Sequence, residues 1–200
     1  MIIFNRLATV PSWENQIYLI SPEGAIGDEL LISHPSETNY EWANSTLKDG
    51  RIFIDRFNSD YAKSFLLTPN PGKLGKYEEI ERPDERLWHK LSVSPDETKV
   101  AYMLDNDRKL WTYNDVVIAI ADFDTNRLIV SNPKVITEMD LENIYEYPRW
   151  SEDGQCLVYD SNKSGTFQVY AYHLESKETT NISPDKERNY RFAHCENMPK

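Results

Sequence analysis

Apolar residues along this chain fall in short runs separated by clusters of Asp, Gly, Ser, Pro and Asn, the pattern of strands joined by tight turns. The clearest stretch is PRWSEDGQCLVYDSNKSGTFQVYAYHLESKETTNIS, residues 148 to 183. Asp153-Gly154 is a turn signal between an aromatic-bearing strand at 147–151 and a hydrophobic strand at 156–160. Ser164-Gly165 marks a second turn. Phe167, Val169 and Ala171 then alternate with Gln168, Tyr170 and Tyr172 as a third strand, and the polar ESKETT leads to a fourth, outer strand around 179–182.

The same unit recurs upstream. LSVSPDETKVAYM, 91 to 103, has Pro95-Asp96-Glu97 as its turn, and its third strand is VVIAIADFD, 116 to 124, apolar on both faces as an inner strand between packed layers must be. WANSTLKDGRIFIDRF repeats the theme with Asp49-Gly50 as the turn, Ile52-Phe53-Ile54 as second strand and KSFLLTP as third. From Asp49 to Asp96 is 47 residues and from Asp96 to Asp153 is 57, a period of about 50 that suits propeller blades. YEEIERPDERLWHKL has some helical character, but Pro83 interrupts it, and it is expected to link one blade's outer strand to the next blade's inner strand.

The ends complement each other. IIFN, QIYLISPEG and ELLIS read as second, third and fourth strands without a first, while NYRFAHCENMPK, 189 to 200, reads as a first strand without successors. The expected architecture is therefore all-β, a single β-propeller domain of four four-stranded blades closed by pairing of the N- and C-terminal segments. The blades would span 1–33 with 189–200, 38–82, 86–138 and 144–184. A fragment of a larger ring, or a ring completed by a second chain, stays open at this point.

The repeat resembles that of the TolB-like propellers, whose blades carry Pro-x-Trp-Ser-Pro-Asp-Gly, a hydrophobic strand, then Ser-x-x-Ser-Gly-x-x-x-Ile-Tyr. Pro148, Trp150, Ser151, Asp153, Gly154, Ser161, Gly165 and Tyr170 match, and Glu152 replaces the usual proline. The resemblance implies a propeller and no particular activity, because its pattern consists of turn and packing residues. The architecture is shared by scaffold proteins, propeller domains of peptidases and some polysaccharide lyases. SEDGQ departs from the sialidase box in spacing.

Composition narrows the function. A net charge of −11 disfavours nucleic acid and anionic membranes as partners. The N-terminal 20 residues contain neither a signal-peptide core nor a spanning segment, which points to the cytoplasm. Cys156 and Cys195 have no metal or redox spacing and are expected to be reduced and structural. The three N-x-[ST] triplets at Asn44, Asn162 and Asn181 carry no weight without export. No G-x-S-x-G elbow, P-loop or dinucleotide fingerprint occurs, so no cofactor is expected.

The default reading is a non-catalytic binding or scaffold module for a protein or peptide, acting through channel rim and loops. Its candidate residues are Glu41, His89, Glu146, Arg149 and Arg191, polar groups on hydrophobic first strands, with Trp13 as a loop contact. Trp42, Trp88 and Trp150 are expected to pack between blades. The alternative is a carbohydrate-active lyase or hydrolase with a His/carboxylate site, for which His89, His194 and Glu146 have the right ligand and acid–base types and His34 and His173 lie elsewhere. Adjacent acids such as Glu78-Glu79 and Glu152-Asp153 point to opposite faces of a strand and do not form a glycosidase pair by themselves.

Overall fold

The computed structural model describes residues 2–7, 15–21, 30–32, 40–57, 62–70, 73–105, 116–140 and 142–191. All regular structure among them is β, in four antiparallel sheets. The chain divides into two compact units, Met1–Ile80 and Glu81–Lys200.

The first unit holds a three-stranded sheet, β1 (Ile2–Leu7), β2 (Asn15–Ile20) and β3 (Leu30–Leu31), and a four-stranded sheet, β4 (Tyr40–Thr46), β5 (Ile52–Phe57), β6 (Ala62–Asn70) and β7 (Lys73–Glu79), each in meander order. Ile17, Leu19 and Ile32 of the first sheet interlock with Ile52, Ile54 and Leu67 of the second. The second unit holds β8 (Leu87–Val93), β9 (Lys99–Asp105), β10 (Val116–Asp124) and β11 (Ile129–Val135), then β12 (Tyr145–Trp150), β13 (Cys156–Ser161), β14 (Gln168–His173) and β15 (Thr179–Asn181). Its core is aliphatic on one side, Ala101, Met103, Val116 and Ile118, and aromatic on the other, with Tyr145, Trp150, Tyr159, Tyr170 and Tyr172. The Trp150 indole donates to the Ser92 carbonyl at 2.9 Å and ties the two sheets together.

The segment with Pro83 forms no helix: β7 ends at Glu79, Glu81 bridges in parallel to Ile129, and bends lead into β8. Of the segment 189–200, Asn189, Tyr190 and Arg191 are described. They lie outside any strand and are held by the last sheet, the Phe167 N–H donating to Asn189 Oδ1 and the Tyr190 N–H to the Phe167 carbonyl. Residues 192–200, and with them the pairing of the two ends, lie outside the described residues.

The two sheets of the second unit repeat each other through their first hairpins, 57 residues apart. In each, a serine hydroxyl before the turn donates to an aspartate two residues on, Ser94 to Asp96 and Ser151 to Asp153, both at 2.6 Å. The same hydroxyl accepts the N–H that opens the next strand, from Lys99 and Cys156 at 3.0 Å. Turn geometry thus sets the register of each first hairpin from within its own sequence.

Candidate functional site

Strands β4, β8 and β12 begin their sheets, and each carries one extra residue against its neighbour. The register steps between Ala43 and Ser45, between His89 and Ser92, and between Glu146 and Arg149. Two non-glycine residues in the second unit sit in left-handed backbone at this bulge, Lys90 (φ 54°) and Tyr147 (φ 52°). They occupy the same place in adjacent sheets. The Lys90 ammonium stands 5.7 Å from the centre of the Tyr147 ring.

Four of the residues singled out from the sequence belong to the same second unit. Glu146 is buried and ion-paired with Arg191, whose guanidinium also lies 4.1 Å over the Phe167 ring. Burial pushes the Glu146 pKa up, against the pull of the Arg191 and Lys90 charges. Arg149 is largely desolvated, which lowers its pKa although the buried Asp160 opposes this, and it donates to its neighbour's carbonyl, Pro148 O, at 2.9 Å. His89 is also largely buried. Burial first, and then the Lys90 and Arg82 charges, bring its pKa down to about 4, so it is neutral at pH 7 rather than a solvated surface histidine.

Glu41 belongs to the first unit and has its own partners. It is 2% exposed, accepts from Arg56 Nε at 2.7 Å and from the Tyr77 hydroxyl at 2.9 Å, and the Arg56 guanidinium lies 4.9 Å from the centre of the Phe65 ring and 4.4 Å from that of Tyr77. Desolvation works against the Arg56 charge, but Glu41 outweighs it and raises the pKa. This is an intra-sheet ion pair. Trp13 lies outside the described residues, as do His34 and His194. Trp88 and Trp150 are buried as expected; Trp42, at 38%, is exposed, because it sits on the far side of β4 from Glu41. His173 is remote from the bulges, at the end of β14, with Nδ1 3.1 Å from Cys156 Sγ.

Lys90, Tyr147 and Asp160 join the site without a signal in the local pattern, since a bulge is a property of register between two strands. The 57-residue offset, applied to Lys90, does arrive at Tyr147. Among the described residues no three His, Cys, Asp or Glu side chains gather as a metal site, and no helix is long and apolar enough to cross a membrane.

The sheets superpose on known propellers. A TolB from Acinetobacter baumannii aligns with TM-score 0.64 at 16% identity over 90% of this chain and 40% of its own, and a putative TolB from Agrobacterium tumefaciens with 0.56 at 16% over 85% and 55%. The fold is TolB-like. A puromycin-hydrolysing peptidase of Mycobacterium tuberculosis shares the TolB-like sheets with TM-score 0.59 at 10% identity over 92% of this chain and 30% of its own. The chain thus spans between about a third and just over half the length of these structures. No protein-family model and no curated protein sequence matches it.

Proposed function

We propose that the chain is a TolB-like propeller module that binds a protein or peptide partner through the polar face of its first strands, without catalysing a reaction. The observation that carries this is the matched pair of bulges. Left-handed backbone costs a non-glycine residue roughly 1–2 kcal/mol, and such strain collects where a side chain has to be aimed. Here it is spent twice, to set an ammonium beside a phenol ring on adjacent first strands. Glu146, Arg191 and Arg149 surround them, and Tyr and Arg are among the residues enriched in interface hot spots.

We further propose that four blades close into a ring, with the C-terminal segment as innermost strand of the first sheet, which among the described residues has three strands where the others have four. A carbohydrate-active enzyme is the competing reading. In its favour, His89 and Glu146 occupy equivalent places on adjacent first strands, and burial displaces both pKa values.

Pull-down with the wild-type chain and with Lys90→Glu/Tyr147→Ala, at matched melting temperature, separates the readings. Capture of one defined partner, reduced at least tenfold in the variant, supports binding. Turnover of a polysaccharide that is lost in Glu146→Gln replaces it with the enzyme.

A further inference from the structure

Cys156 and His173 face each other across β13 and β14, at directly paired positions. The thiol sulfur and imidazole Nδ1 are 3.1 Å apart, a nucleophile within hydrogen-bond reach of a base. The fold by itself does not ask for this pair. At the corresponding place in the preceding sheet stand Lys99 and Asp122, an ordinary ion pair at 2.7 Å between half-exposed side chains. The Cys156 backbone is fixed on both sides by Ser151, whose N–H donates to its carbonyl and whose hydroxyl oxygen accepts its N–H.

Cys156 is 5% exposed, while His173 is half-buried and forms part of the wall of an open cleft of about 540 Å³ with Gly154, Gln155, Leu174, Glu175 and Ser176. The imidazole stands between sulfur and cleft.

We propose that Cys156 is a hydroperoxide-reactive thiol activated by His173. The thiol passes its proton to Nδ1. The thiolate then attacks one oxygen of hydrogen peroxide, an S–O bond forms and the O–O bond breaks. Sulfur is oxidised by two electrons to the sulfenic acid and the peroxide is reduced. The departing hydroxide takes the proton back from Nδ1 and leaves as water, so the imidazole ends neutral.

The test uses the full chain with Cys195→Ser, so that one thiol remains. Hydrogen peroxide with dimedone as trap, followed by peptide mass spectrometry, is expected to give one adduct on Cys156, formed at least tenfold faster than on the same chain unfolded in urea. His173→Gln, which keeps a polar group of similar size, should slow it about tenfold and shift the pH profile of iodoacetamide alkylation upward, with the melting temperature within a few degrees of the parent. Labelling no faster than in urea, or a rate unchanged in His173→Gln, overturns the proposal.

Discussion

At the scale of single residues the turns of the second unit offer a matched experiment. Glu97 (φ 62°) and Gly154 (φ 69°) hold the same place in their hairpins, one with a side chain and one without. Glu97→Gly should stabilise by about 1 kcal/mol, and Gly154→Ala should cost about as much. A new Cβ at 154 would meet Pro95 Cδ at 3.5 Å, an ordinary contact, so the loss measured by urea titration comes from the backbone alone. His89 gives a pH dependence. Its folded pKa of about 4 lies below the unfolded value near 6.5, so between them the unfolded chain binds more protons. Stability from neutral His89 is complete above pH 6.5 and lost as pH falls towards 4. For a group that keeps some solvent contact the loss is on the order of 2 kcal/mol. Urea midpoints at pH 7 and pH 5 should therefore fall less far apart in His89→Gln than in wild type.

At the scale of elements the indole of Trp150 holds β12 to β8 by a side chain-to-backbone hydrogen bond. Trp150→Phe keeps most of the apolar contact and leaves the Ser92 carbonyl without that donor, so calorimetry should register a loss of about 1–3 kcal/mol. Most elements were legible because each strand carries its own pattern and each turn its own residues: 116–121 is an unbroken apolar run that opens β10, and Asp153-Gly154 turns where its dipeptide says. The site was less legible. Glu41 and Arg56 meet across a hairpin, Cys156 and His173 across another, and Lys90 acquires its aim from a register step. Such facts belong to pairs of strands, and a single strand's alternation does not contain them. Arg191 was placed near the first strands by its neighbours in sequence, yet it is fixed there by Glu146, 45 residues away.

At the scale of the whole molecule the proposed ring is tested by removing residues 192–200 only. This leaves Tyr190 against Val158, Val169 and Ala171, and Arg191 on Glu146, so damage to the last sheet does not confuse the result. If the segment closes the first sheet, losing Phe192 and its neighbours should cost about 2–5 kcal/mol and lower the melting temperature by several degrees. An unchanged melting temperature rejects the closure. The bulges bear on another property of the chain. Strands β4, β8 and β12 are the outermost members of their hydrogen-bonded sheets, and β8, LWHKLSV, is largely apolar. A straight edge of that composition is a template on which a second chain can lay down a strand. The extra residue breaks the ladder and bends it, leaving no uninterrupted run long enough to be copied. Deleting Lys90 would straighten β8, and the expected consequence is fibril growth from a previously clear solution, visible as thioflavin fluorescence with a shortened lag.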